Sequence, residues 1–404
     1  MNAATSTSIP PNVPQHLVVD VDIYNMPGST EDPQLAWKAL DRKGGPGLVW
    51  TAHNGGHWIV TAGEPILAWL NDGERFSAKE IAVPAGLSPI PMIPNQSDEP
   101  EHHYYRRIVM PFVRPDQVRK LAEKVRALAI ELIDNFCARG HCEFVSEFSR
   151  HLPMRIFLSL VDLPETDREW LIERAENGVR GADIAARQKA QSEMNGYLQS
   201  WIKKRREQPG DDLLSAIVHG TVGDRPMTAD EVMGEAMDVM FGGLDTVASM
   251  MGFVMHFLAT HPDHYRALVE DPSRIPSAVE ELLRRHGVAS IARRALTDVE
   301  HAGVTIRAGD MVMLPTCLHG LDERLWDEPL SVKFDRPRQP HGTFGKGVHT
   351  CPGAPLARSE ISIMLEEWIK RILEFSLAPG SHPRTASGSV NGMLELNLVW
   401  PVVK

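Results

Sequence analysis

From Thr228 to Thr260 the chain runs without a proline between a helix start signal and a helix stop signal. Thr228-Ala-Asp-Glu231 has the spacing of a capping box, in which hydroxyl and carboxylate accept from backbone N–H groups that the first turn leaves unpaired. His261-Pro262 closes the stretch, because proline has no N–H and crowds the residue before it. One helix of about 32 residues is predicted, ~48 Å long, against a usual length of about 11–12 residues. Such a helix crosses a whole domain, so the remaining elements have to pack around it. Midway along it lies Phe241-Gly-Gly-Leu-Asp-Thr246. Each glycine there costs about 1 kcal/mol relative to alanine. The Thr246 hydroxyl can bond the carbonyl four residues back, at Gly242, and bend the helix. A local opening beside Asp245 and Thr246 is expected, too far from either end for the pair to serve as a cap.

The flanking pattern is also helical. From Pro115 to about His219 apolar residues recur at spacings of three and four, as in Leu121, Val125, Leu128, Leu132 and Phe136. The Ser277–Glu280 spacing predicts a shorter helix ending at Gly287, and another runs from about Ala354 to Leu373. Strand signals are few. Leu48-Val-Trp-Thr51 and Trp58-Ile-Val-Thr61 flank Asn54-Gly55, a hairpin turn signal, and Val304–Arg307 and Met311–Leu314 read as further strands. Residues 1–30, rich in Pro, Ser, Thr and Asn, predict an irregular arm. Pro84, Pro89, Pro91 and Pro94 make residues 80–97 a long loop. The fold class is therefore mainly α with a small β lobe, and with no linker or repeat the chain reads as a single domain, 1–404.

Lys and Arg total 42 against 53 Asp and Glu, a net charge of −11. That balance argues against a nucleic-acid partner, which needs a basic face. No apolar run approaches ~20 residues and the first residues lack a signal-peptide pattern, so a cytoplasmic, monomeric protein without a membrane partner is expected. Of four cysteines, Cys137, Cys142 and Cys317 read as buried, inert thiols.

Cys351 differs. It stands in Phe344-Gly-Lys-Gly-Val-His-Thr-Cys351-Pro-Gly-Ala-Pro-Leu-Ala-Arg358, directly before a predicted helix. Gly345, Gly347 and Gly353 permit a loop whose amide N–H groups converge, and the helix start adds roughly half a positive charge. Both effects favour a thiolate. Flanked by Phe344, it suits a flat metal cofactor with one protein ligand.

The spacing Phe-Gly-x-Gly-x-His-x-Cys-x-Gly-x-x-Leu-Ala-Arg resembles the haem-binding loop of the cytochrome P-450 monooxygenases. Glu281-Leu-Leu-Arg284 is similar to that family's Glu-x-x-Arg helix, Phe241–Thr246 to its oxygen-binding segment, and His102-x-x-x-Arg106 to a propionate-binding pair. The likeness spans nearly the whole chain. It points to the soluble bacterial camphor hydroxylase group in Gly242–Val247, Gly320–Arg324 and Leu398–Trp400. The resemblance implies a haem b cofactor with a long central helix crossing it, and Cys351 as axial ligand of the iron. It implies Asp245 and Thr246 as the catalytic pair, and His102, Arg106, Arg293, Phe344, His349 and Gly353 as cofactor-binding residues. Arg336 is implied as third member of a structural Glu281–Arg284 network. Two electrons are expected from a two-iron ferredoxin reduced by an NADH-dependent reductase, with Lys346, Arg106 and Arg358 as candidate docking charges.

Mapped onto that group, the substrate pocket comprises Ile81, Ile90, Met92, Asp238, Phe241, Leu244, Ala289, Ile291 and Val390. Ile90 takes the place of a tyrosine that binds the substrate ketone, which makes camphor a poor candidate. The lining is mainly apolar, as suits a terpenoid or norisoprenoid; whether Asp238 reads a polar substrate group or water stays open. The implied activity is hydroxylation of a small apolar C–H bond with dioxygen. A peroxide-driven enzyme or a haem-thiolate carrier of the same fold are the rivals, the first disfavoured by Asp245-Thr246.

Overall fold

The computed structural model describes residues 7–87, 90–180 and 184–402, apart from the side chains of residues 179, 180 and 244. The hairpin forms at the expected place. Strand β1 (Leu48–Thr51) pairs antiparallel with β2 (His57–Val60), Trp50 opposite Trp58. Asn54, Gly55 and Gly56 all have positive φ in the turn. The hairpin does not stand alone, however. It joins a six-stranded sheet in which β3 (Ser290–Ala295) and β4 (Met311–Pro315) are antiparallel neighbours, and β4 runs parallel to β2. The arm is likewise less irregular than its composition predicts. Val18–Val19 lies parallel to Trp50 and Thr51 and closes one edge of the sheet, since extended backbone beside an open edge satisfies its N–H groups there. Trp37, Trp50, Trp58 and Val312 fill the core beneath this sheet.

The helices carry the rest. In chain order they include α1 (Glu101–Val113), α2 (Pro115–Cys137), α3 (His151–Val161), α4 (Arg168–Arg180), α5 (Ile184–Glu207), α6 (Ala229–Leu244), α7 (Thr246–Thr260), α8 (Ile275–Arg285) and α9 (Ala354–Ile369). The apolar stripe of α2 buries Val125, Ala129, Ile133 and Phe136 against α9, where Trp368 packs 5.8 Å from the Phe136 ring. A short strand, His141–Glu143, interrupts the helical run from Pro115 to His219. Two boundaries move. α9 ends at Ile369, and α8 begins at Ile275, because Ser277 Oγ donates to the Arg274 carbonyl instead of capping a helix start.

The long helix is broken in two. Its capping box is present in full: Thr228 Oγ1 accepts from Glu231 N–H, and Glu231 accepts from Thr228 N–H. At Asp245 the backbone leaves helical values (φ −121°, ψ −34°), and Thr246 Oγ1 donates to Gly242 O at 3.2 Å. Gly243 is required by packing, since a Cβ there would lie 2.6 Å from the Phe157 ring. Taken together, 229–260 is long and apolar enough to cross a membrane by length and composition, yet most of it is packed inside the protein.

Candidate active site

A cavity of about 420 Å3 opens between α6, α7, the 80–97 loop, β3 and the loop before α9. Cys351 shows why its loop is glycine-rich. Gly347 adopts φ +76°, and a Cβ on it would lie 2.5 Å from Asn71 Oδ1. That turn lets Cys351 N–H donate to Phe344 O at 2.9 Å. Gly353 and Ala354 N–H groups donate to the sulfur, as the spacing suggests. Cys351 lies deep in the protein and yet exposes surface, because what it exposes is cavity wall.

Burial pushes the Cys351 thiol up, with the two amides and Arg106 acting against it. A metal bound to the sulfur would deprotonate the thiol outright. The other three cysteines also have raised thiol pKa values, mainly through burial, Cys317 to about 12.

Cations gather at one part of the cavity. Arg106, Arg293 and His349 line it. His102 is not on the wall; it stands against His349, ring centroids 4.3 Å apart. Arg293 is 2% exposed and donates to Ala292 O, and burial lowers it to about 10. Burial, with Arg293, His102 and Arg106 close by, lowers His349 to about 3. His349 Nδ1 and His102 Nε2 are buried without a partner. Arg106 donates to Thr350 O. Among the described residues neither Arg106 nor Arg293 has an ion pair, and such donors fit a group that brings its own two carboxylates, as haem b does. The alternation of β3 explains Arg293: residues 291 and 293 share the face toward the cavity.

The remaining predicted residues divide. Ile81, Met92, Asp238, Phe241, Ala289, Ile291, Val390, Thr246, Phe344 and Gly353 all line the cavity. Ile90 does not; it packs on the apolar cluster of Ile93, Tyr105 and Val109, where the loop turns it away. Leu244's side chain lies outside the described residues. Asp245 is buried at the helix break and is not part of the cavity wall. Asp238 is raised to about 7 by burial, against a hydrogen bond from Asn95 and the charge of Arg106.

Around the site, Glu281 accepts from Arg284 Nε and Nη2, both at 2.8 Å, and from Arg336 Nε at 2.9 Å. Arg284 also reaches Gly320 O, Pro329 O and Ser331 O, tying α8 to the segments leading into the cysteine loop. Of the candidate docking charges, Arg106 lines the cavity, Arg358 is 38% exposed, ion-paired to Glu280 and stacked over Phe344 at 4.5 Å, and Lys346 is exposed. Sequence reasoning missed Glu360 and Arg187 on the wall. For Glu360 a signal existed: it sits among Ala357, Ile361 and Met364 on the buried stripe of α9. Burial raises it to about 8.

A single cysteine in a glycine-turned loop, a broken helix lining the same cavity and an unmatched cluster of cations define a haem-thiolate site. Comparison with known proteins agrees. The cytochrome P-450 family profile matches residues 177–395. The chain is 31% identical over 401 residues to a probable cytochrome P-450 127A1 of Sinorhizobium fredii, covering 97% of each. It is similar to the crystal structure of cytochrome P-450 CYP101C1, with TM-score 0.88 and 42% identity over 98% of this chain and 100% of that one. For CYP101J2 the TM-score is 0.88 and the identity 37%, with the same coverage. The chain belongs to the cytochrome P-450 family and is a monooxygenase whose cofactor is haem b.

Proposed function

We propose that this protein hydroxylates a C–H bond of a small terpenoid or norisoprenoid, using dioxygen and two electrons from a two-iron ferredoxin served by an NADH-dependent reductase. The observation that carries the reading is that Cys351 and the Thr246 break line one cavity whose wall is mostly carbon. Haem b, when bound, supplies the redox chemistry that activates dioxygen. Cys351 Sγ is its iron ligand in this reading. Arg106, Arg293 and His349 hold the two propionates, and His102 positions His349.

Thr246 then manages a proton. Its hydroxyl is fixed by donation to Gly242 O, which leaves the oxygen free to accept a hydrogen bond on the cavity side. Asp245, buried next to it where the helix opens, passes protons toward that hydroxyl. Met92, Phe241, Ala289, Ile291 and Val390 exclude water and seat the hydrocarbon. The same reading makes the chain a monomeric, single catalytic domain working in the cytoplasm. The test is NADH consumption and product formation with a ferredoxin pair, scored against hydrogen peroxide alone. Turnover on peroxide with no gain from the ferredoxin pair would favour the peroxide-driven alternative.

A further inference from the structure

Among the described residues, three of the five buried guanidinium groups are ion-paired. Arg205 pairs with Asp162 and Asp212, Arg284 with Glu281, and Arg285 with Asp32. Arg187, on the first turn of α5, is 5% exposed and lines the cavity, yet among the described residues it has no hydrogen bond and no ion pair. Its Nε and Nη1 are buried without a partner. Its one close neighbour of note is the Tyr24 ring, with Cζ 3.9 Å from the centroid. A π face offsets part of the cost of burying a cation, but it does not satisfy the in-plane N–H donors. Those donors are left for something else.

The donors are also held in place. Tyr24 Oη donates to Val83 O at 2.8 Å and lies 3.3 Å from Ser389 Oγ, so the ring beneath Arg187 is clamped between the 80–97 loop and the C-terminal loop. One turn along α5, Gln191 also lines the cavity, with Oε1 buried and unpartnered. Its amide can equally be turned to present N–H, because oxygen and nitrogen are alike in shape. Of the carboxylates on the cavity wall, Asp238 accepts from Asn95, Glu80 is engaged by Gly86 N–H and Arg294, and Glu360, which burial raises to about 8, carries little charge at neutral pH.

We infer that the substrate carries an oxyanion, most simply a carboxylate, on its apolar body, and that Arg187 with Gln191 is the subsite that reads it. The inference rests on the monooxygenase reading and narrows its substrate class from neutral terpenoids to terpenoid acids. A guanidinium fork matches a carboxylate bidentately, and in a dry pocket that match is strong. Hydrocarbon packing then seats the rest of the molecule.

The test compares three probes of one skeleton on the haem-loaded protein: limonene, perillaldehyde and perillic acid at neutral pH. Affinity is read by calorimetry and by the haem spin-state change. Perillate is expected to bind at least about tenfold tighter than limonene, the scale of one charge-assisted hydrogen bond. Arg187→Met should abolish that preference while limonene affinity stays within about twofold, which also shows the variant is folded. Arg187→Lys should keep part of it. The inference is overturned if wild-type protein does not prefer the acid, if Arg187→Met prefers it equally, or if perillaldehyde gains as much as perillate. A carbon monoxide spectrum without the thiolate band would instead sink the monooxygenase reading, while the calorimetric preference would still report on Arg187.

Discussion

Thr246 has two tasks that a single substitution separates. Its hydroxyl bonds Gly242 O at the break in the helix, and the residue lines the cavity. Thr246→Ser keeps the hydroxyl and should keep coupling, whereas Thr246→Ala should lower product formed per NADH by about tenfold or more, with hydrogen peroxide making up the difference. Unchanged coupling in the alanine variant would end the proton role. Glu235 offers a second test, on stability. It is fully buried on α6 with neither oxygen partnered, and burial raises it to about 9. The folded protein then holds a proton that the unfolded chain releases near pH 4.5. Stability from this residue is therefore highest below pH 4.5 and is lost as pH rises toward 9. Glu235→Gln removes the linkage, so its unfolding midpoint should exceed that of wild type at pH 8.5 and match it near pH 5.

At the scale of elements, the α8 network is the joint between helix and cysteine loop. Burial alone would raise Glu281, but Arg284, Lys333 N–H and Arg336 hold it below its ordinary range. Removing one partner strands a buried charge. Arg284→Ala should cost about 3–5 kcal/mol, read as a shift in urea midpoint, and should impair haem retention because Gly320, Pro329 and Ser331 lose their common donor. The break between α6 and α7 makes the complementary point. Its position was legible from Gly242, Gly243 and Thr246 as a conflict with helix propensity. The depth of the break was not, because it depends on the Phe157 ring taking up the room that Gly243 leaves.

For the whole molecule, the cavity is the organising fact. A protein that holds space for a large cofactor leaves Arg293, His349 and Cys351 in unfavourable surroundings until it is filled. Haem binding only to the folded state should raise the unfolding midpoint, by an amount set by mass action. Cys351→Ser should leave the haem-free protein nearly as stable as wild type, since the thiol faces the cavity, but should lose most of the gain on loading. Equal gains in both would argue against Cys351 as the iron ligand.

What the sequence determined by itself were features written in consecutive residues. The capping box at Thr228, the helix-breaking Gly-Gly and Thr, the Asn-Gly hairpin and the spacing around Cys351 each act through backbone geometry within a few positions, so they survive without knowledge of neighbours. What only the tertiary structure decided was which side chains face the cavity. Ile90 packs on an apolar cluster and does not line the cavity, and an irregular loop has no period from which to foresee that. Arg358 pairs with Glu280, 78 residues away, which no local pattern foretells. Arg187 escaped notice because an arginine on a polar helix reads as surface; only the approach of Tyr24 from the arm, of the 80–97 loop and of the C-terminal loop buries it. Burial and pairing are properties of distant segments brought together, and no local pattern encodes them.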